Sequence, residues 1–251
     1  MSEIITAVYS NGMLHPQSPL SLTDGQTVRL QVLTEESLKD AEKIIQSLIA
    51  AGLVTPPQHK SDVEPVREEA WRELTQRLEA SGGKPKSGNY YRRTRINVTA
   101  YFVDSSALVK RYVPETGSAW IQALSAPQES NLLFITRITW VEVLSALARR
   151  EREGTLTPSD RALIIQRFPF DLNNQYQVIE LDAKLVETAG QLVGQYPLRA
   201  YDAMQLASVL KIQSAFSTEQ SISLIFLTSD DRLSTIAQAL GLLTDNPNHH
   251  P

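Results

Sequence analysis

The stretch YFVDSSALVKRY, residues 101–112, passes from an apolar, β-prone run into a helical pattern through one acid and two serines. Asp104 ends the apolar run, and the periodicity that follows predicts a helix over 106–112, which Ser105 or Ser106 can cap. Burying a carboxylate costs free energy unless the group is hydrogen-bonded or paired. The stretch therefore predicts a strand, a turn and a helix around an acid that needs a stabilising partner.

The succession of short apolar runs and helical stretches continues towards the end of the chain. Strands that do not alternate strictly and are separated by helices predict an α/β fold, with a parallel sheet covered on both faces. The predicted strands cover 101–104, 132–136, 178–181, 224–228 and 242–244. The predicted helices cover 106–112, 116–125, 139–153, 158–169, 182–195, 200–213 and 231–240. In such sheets the functional site lies at the carboxyl ends of the strands.

Four acids stand in apolar surroundings near strand ends or helix starts. Asp104 and Asp230 follow predicted strands, and Glu142 and Asp202 lie in the first turns of predicted helices. Two like charges 4 Å apart repel by about 4 kcal/mol at an effective dielectric constant of 20, so clustered carboxylates must bind protons or metal. Mg²⁺ and Mn²⁺ prefer oxygen ligands, and a metal-activated water cleaves phosphodiesters without histidine. The pattern predicts a divalent-metal site anchored by Asp104.

Composition narrows the possible chemistry further. The 251 residues include no cysteine, which excludes disulfides, cysteine–zinc sites and thiol nucleophiles. No histidine lies between residues 60 and 248, and His249 and His250 are expected to belong to a disordered polar tail. No apolar run approaches the roughly 18 residues of a membrane span. No membrane partner is expected, and without a visible secretory signal a cytoplasmic location is the default expectation.

The first 97 residues follow other patterns. Residues 1–33 predict a small β unit with a hairpin turn at Ser10–Gly12. Residues 34–97 predict two amphipathic helices, at 34–52 and 64–83, followed by a basic linker. The linker region between Ala80 and Asp104 has no acid and carries five bases: Lys84, Lys86, Arg92, Arg93 and Arg95.

Four blocks of sequence surround the four acids: YFVDSSALVKRYVPETGS, ITWVEVLSALARRE, RAYDAMQLASVL and LIFLTSDDRLSTIAQALGL. Together they resemble a PIN-domain ribonuclease of the VapC toxin type over residues 98–244. The resemblance implies an α/β/α sandwich, a homodimer and RNA cleavage that depends on Mg²⁺ or Mn²⁺. The catalytic and metal-holding quartet that it implies is Asp104, Glu142, Asp202 and Asp230. The family's Thr-x-Asp element falls on Thr228 to Asp230, which favours Asp230 over Asp231.

The N-terminal part resembles a second kind of protein. ITAVYSNGMLHP and LTDGQTVRLQV resemble a short, VapB-like class of antitoxin encoded beside such toxins, and EEAWRELTQRLEASGGKP resembles an antitoxin helix and tail. The resemblance implies an antitoxin-like β unit at 1–33, a helical antitoxin-like segment with a basic linker at 34–97, and a nuclease domain at 98–251. The antitoxin-like segment would act in cis or from a second subunit, with an arginine among 92, 93 and 95 entering the site.

Two other functions fit the same residues. The chain could be a latent regulatory or scaffold protein, in which the N-terminal part permanently blocks a vestigial site. It could also be a DNA or flap nuclease on the same fold. Binding of a divalent metal separates a live site from a vestigial one, and cleavage of single-stranded RNA or of branched DNA separates the two enzymes.

Overall fold

A computed structural model describes residues 7–10, 13–16, 35–60, 63–81, 98–126, 131–217 and 222–250. A two-stranded antiparallel hairpin comes first, formed by β1 (Ala7–Ser10) and β2 (Met13–Pro16). The main sheet is parallel throughout. Its strands are β3 (Ala100–Val103), β4 (Leu132–Thr136), β5 (Tyr176–Ile179), β6 (Leu224–Leu227) and β7 (Leu243–Asp245), in the spatial order β5-β4-β3-β6-β7. The predicted α/β class is confirmed.

Helices cover both faces of this sheet. In chain order they are α1 (Glu35–Ala50), α2 (Glu68–Ser81), α3 (Ser105–Leu108), α4 (Ser118–Leu124), α5 (Thr139–Arg152), α6 (Pro158–Gln175), α7 (Ala183–Gln195), α8 (Ala200–Ser217) and α9 (Asp231–Ala239). Short 3-10 turns follow at Val109–Arg111 and Pro247–His249. Among the described residues, no helix is long and apolar enough to cross a membrane.

One predicted boundary was wrong. The sequence places a helix end at Pro169, but α6 continues through this proline to Gln175, and β5 starts at Tyr176. Proline removes a backbone donor inside a helix. Phe168 and Asp171, on either side of it, are fully buried, so tertiary packing holds the helix together where the local signal predicts its end.

The sheet separates two apolar cores. Phe102 stands in register with Phe134 and Phe226 on its neighbouring strands, and all three side chains enter the core beneath α7 and α8. Val103 and Leu227 belong to the opposite core, beneath α5 and α6. Residues next to each other in a strand thus point to opposite faces, as the period of a strand requires.

The N-terminal helices complete these cores, one on each face. Ala41, Ile44 and Leu48 of α1 are buried in the core that contains α8. Leu74 and Leu78 of α2 are buried in the opposite core. The predicted apolar stripes of both helices are therefore occupied by contacts within the same chain.

The segment between α1 and α2 crosses the outer edge of the sheet at β5. The Thr55 amide donates to the Val178 carbonyl at 2.7 Å, and the Val178 amide donates to the Thr55 carbonyl at 2.8 Å. This exchange covers part of a strand edge that would otherwise present unpaired backbone groups. We call α1, this segment and α2 together the clasp. The remaining predicted β segments of residues 1–33, and the basic linker with Arg92, Arg93 and Arg95, lie outside the described residues.

Candidate active site

Asp104 lies at the carboxyl end of the central strand β3, and only 4% of its surface is exposed. Its Oδ2 atom accepts hydrogen bonds from Ser106 Oγ at 2.6 Å, Thr228 Oγ1 at 3.0 Å and the Ser106 amide at 3.3 Å. Burial raises the pKa of this carboxyl, and the hydrogen bonds only partly oppose the rise. The stabilising partners that the sequence requires are thus hydroxyls and an amide.

Glu142 lies in the first turn of α5 and faces the same side of the molecule. Its Oε2 accepts a 2.5 Å hydrogen bond from Gln205 Nε2, which also donates to Thr139 Oγ1 at 3.1 Å. Burial first, then the charge of Asp104 and, more weakly, that of Asp202 raise the Glu142 pKa to about 7, although hydrogen bonds oppose the rise. We call Asp104 and Glu142 the inner pair.

Asp202 and Asp230 form an outer pair joined by one arginine. Arg232 Nη2 lies 3.1 Å from Asp202 Oδ2 and 3.9 Å from Asp230 Oδ2. Asp230 also caps α9, since its Oδ1 accepts from the Arg232 amide at 2.9 Å and the Leu233 amide at 3.1 Å. The outer pair is more exposed than the inner pair and already carries a counter-charge.

Asp231, the sequence alternative to Asp230, makes a different contact. Its Oδ1 accepts a 2.6 Å hydrogen bond from Asn246 Nδ2, in the C-terminal tail. The arginine that joins the outer pair reaches Asp230 and Asp202. Of the two adjacent acids, Asp230 is therefore the one that shares an arginine with Asp202.

The donor set suits a hard divalent cation, because all four side chains offer carboxylate oxygens and arise at one edge of the sheet. The buried Oε1 of Gln205 beside Glu142 has no hydrogen-bond partner, which leaves a further oxygen at this place. Within the described part of the chain, however, no three acidic or histidine side chains are close enough to hold one ion between them.

Sequence reasoning missed three residues that shape this site. Gln205 follows Asp202 by three positions in an otherwise apolar helix, and this isolated polar residue was a usable signal. Arg232 follows the two acids directly, but only the fold shows that it reaches α8. Asn246 belongs to a tail that the sequence predicts to be disordered. That prediction was wrong, since His250 stacks on Trp120 at 4.0 Å and bonds to Asp245.

The chain is similar to two described families, to two ribonucleases and to one solved structure. The PIN domain family matches residues 101–239, and a family described as AF2212-like matches residues 1–69. Ribonuclease VapC45 and ribonuclease VapC49, from two strains of Mycobacterium tuberculosis, are each 34% identical over 140 residues. Each alignment covers 56% of this chain and 90% of the relative. The FitAcB crystal structure from Neisseria gonorrhoeae has a TM-score of 0.42 and 15% identity, covering 59% of this chain and 99% of that one.

Proposed function

The chain belongs to the PIN-domain family of VapC-type ribonucleases, and we propose that it is a divalent-metal-dependent endoribonuclease joined in one polypeptide to its own antitoxin-like segment. Residues 101–239 carry the PIN match, and the AF2212-like match at 1–69 fits a VapB-like antitoxin region. The substrate would be RNA and the cofactor Mg²⁺ or Mn²⁺. The quartet Asp104, Glu142, Asp202 and Asp230 would hold the metal.

The observation that carries this proposal is the desolvated inner pair. Asp104 is buried and Glu142 is partly buried, and the charge of Asp104 raises the cost of ionising Glu142. Within the described residues, no cation forms an ion pair with either carboxylate. A structural role would be served by an amide or a hydroxyl at lower cost. The acids are therefore best explained as ligands for a positive charge that the described residues do not supply.

Each residue then has a distinct task. A bound divalent ion would supply an activated water and neutralise charge on the phosphodiester. Ser106 and Thr228 fix the rotamer of Asp104, and Gln205 fixes that of Glu142, so both carboxylates are oriented in advance. Arg232 is exposed at the mouth of the site, where it can exchange its carboxylate partners for a phosphate group of the substrate.

The antitoxin-like segment would act through the clasp. This is supported by the packing of α1 and α2 on opposite faces of the main sheet, with Leu48 and Leu74 fully buried. The basic linker follows α2 and would bring an arginine of 92, 93 or 95 to the carboxylates of this subunit or of a second one. Because the clasp buries apolar surface on both faces, deleting it would expose both cores. The full chain is therefore the right material for an assay.

The test measures cleavage of labelled single-stranded RNAs by the full chain in Mn²⁺, with Asp104→Asn as the control for contaminating nuclease. Cleavage that disappears in excess chelator and in the control supports the proposal. Full activity in excess chelator would refute metal dependence. Cleavage of branched DNA in place of RNA would support the flap-nuclease alternative.

Inhibition by the basic linker is tested by the triple change Arg92→Ala, Arg93→Ala and Arg95→Ala in the full chain. If the linker blocks the site, the triple variant cleaves RNA faster than the parent at equal molarity. If parent and variant are equally active, the basic linker is not inhibitory. A chain that neither binds Mn²⁺ nor cleaves in either form is the latent scaffold described above.

A further inference from the structure

The C-terminal tail, residues 246–250, lies against the loop that carries the outer acid Asp230. Asn246 is 3% exposed and uses both ends of its amide. Its Nδ2 donates to Asp231 Oδ1 at 2.6 Å, and its Oδ1 accepts from the Asn248 amide at 2.9 Å. A second contact runs from Asn248 Nδ2 to the Ser229 carbonyl at 3.4 Å. The tail thus holds the loop at Ser229 and Asp231, one residue on each side of Asp230.

The tail is itself anchored to the body of the domain. The His250 ring stacks on Trp120 with 4.0 Å between centroids and an angle of 5°, and its Nε2 lies 2.9 Å from Asp245 Oδ1. Pro247 is buried against Gly117, where a Cβ atom would come within 2.2 Å of the Pro247 carbonyl oxygen. Gly117 also has φ +86°, a conformation that favours glycine. These contacts hold the tail in place without involving the inner or the outer pair.

The other side of the same loop is held by Ser106, in the first turn of α3 and two residues after Asp104. The Ser229 amide donates to Ser106 Oγ at 2.9 Å, and Ser229 Oγ donates to the Ser106 carbonyl at 3.3 Å. Ser106 Oγ in turn donates to Asp104. The loop that contains Asp230 is therefore bonded to Ser106, beside Asp104, on one side and to the tail on the other.

We infer that Asn246 is a positioning residue which, by holding Asp231 against the tail, directs Asp230 alone into the metal site. The inference rests on the proposed metal-dependent function, because only then does it matter which acid faces the pocket. Two adjacent acids at the start of one helix would otherwise compete for the same ion. A partner that fixes a ligand's surroundings commonly changes metal affinity or activity by about 10- to 100-fold when it is lost.

The first test changes Asp231, which is exposed, so the fold is not at risk. Asp231→Asn keeps an oxygen that can accept from Asn246, and Asp231→Ala removes it. Isothermal titration of the full chain with Mn²⁺ should give a parent-like dissociation constant for the Asn variant and about 10-fold weaker binding for the Ala variant. Equal affinities for both variants and the parent would overturn the inference. Equally severe loss in both would show that Asp231 itself is the ligand.

The second test exchanges the two partners. Asn246→Asp removes the donor and sets two carboxylates against each other, so Mn²⁺ binding should weaken at least as much as in Asp231→Ala. The double variant Asn246→Asp with Asp231→Asn restores one hydrogen bond with its direction reversed, and it should recover most of the affinity. Failure of the double variant to recover, when its melting temperature equals that of the parent, would overturn the inference.

A metal-free measurement separates this inference from the proposed function. Amide hydrogen exchange of residues 228–234 in chelator should be faster in Asp231→Ala and Asn246→Asp than in Asp231→Asn. If the parent binds no Mn²⁺, the proposed function fails, and the exchange rates alone decide whether Asn246 positions the loop. Identical exchange in all variants would refute the positioning role.

Discussion

The inner and outer pairs of carboxylates differ in how the chain compensates their charge. Asp104 is buried and held by hydroxyl and amide donors, and Glu142 has a pKa raised to about 7 by burial first and by neighbouring charge second. The side chains of Asp202 and Asp230 are 22% and 40% exposed, and both lie near Arg232. The inner pair is oriented in advance and has no counter-ion among the described residues, whereas the outer pair has a counter-ion that can be exchanged. The first arrangement suits a permanent ligand, and the second suits a ligand that responds to what enters the site.

The largest difference between the pairs should appear on loss of one acid from each. We predict that Asp104→Asn lowers the RNA cleavage rate by at least about 100-fold and that Asp230→Asn lowers it by about 10-fold, on the scale of the roughly 10- to 100-fold losses that follow removal of a metal ligand's hydrogen-bonding partner. Both variants should keep the parent's circular dichroism spectrum. The measurement is the single-turnover cleavage rate in Mn²⁺. If the linker inhibits the parent, both changes are made in the triple variant that lacks the arginines at 92, 93 and 95.

Equal losses in these two variants would remove the distinction between inner and outer acids. An Asp104→Asn variant as active as the parent would show that the wrong acids were identified. In chelator, Asp104→Asn should melt at a temperature no lower than the parent, because the change relieves a buried charge.

Removing Arg232 tests whether its positive charge competes with metal for the outer pair. We predict that Arg232→Ala binds Mn²⁺ several-fold more tightly, because the metal no longer competes with a guanidinium for Asp202 and Asp230. The effect is modest because exposed ion pairs are typically worth about 0.2–1 kcal/mol. Isothermal titration gives the affinity, and Arg199→Ala is a control that removes an exposed positive charge from the residue before α8. Unchanged affinity would show that the outer pair is not held back by its arginine.

The last prediction concerns the pH dependence of stability in the absence of metal. The Glu142 pKa in the folded chain is about 7 and its ordinary value is 4.5, so folding favours the protonated form. The stability contributed by this group is complete below pH 4.5 and is lost as pH rises through 7. In chelator, the parent should therefore lose melting temperature between pH 5.5 and pH 8 relative to Glu142→Gln. Parallel pH profiles for the two proteins would contradict this, and Mg²⁺ should reduce the difference at pH 8.

The sequence was sufficient for those parts of the molecule that depend on local pattern. The strands of the sheet were located to within about two residues because their apolar runs end at acids or turn residues, as at Asp104 and Asp230. The four acids were identified because a carboxylate in an apolar context is conspicuous. The grouping of these acids at one edge followed from the parallel sheet, which brings the carboxyl ends of its strands together.

The missed features depend on contacts between residues far apart in the chain. Arg232 lies in α9 and contacts Asp202 in α8. The Asn246 side chain contributes to the site only because the tail folds back on Asp231. The apolar stripe of α1 was visible, but a stripe does not specify its partner, so its packing on α8 could not be read from it. The tail contains too few apolar residues to suggest order, and its position depends on stacking against Trp120.

The clasp also has a consequence for how the chain is made. A ribosome completes α1 about 150 residues before it reaches the start of α8, the helix on which α1 packs. At 5–20 residues per second, this leaves α1 without its native surface for roughly 8–30 s. During that time its apolar stripe is open to other partners, including the clasp of a neighbouring chain on the same messenger. A clasp that closes on a neighbour's domain would give an exchanged dimer with the same contacts.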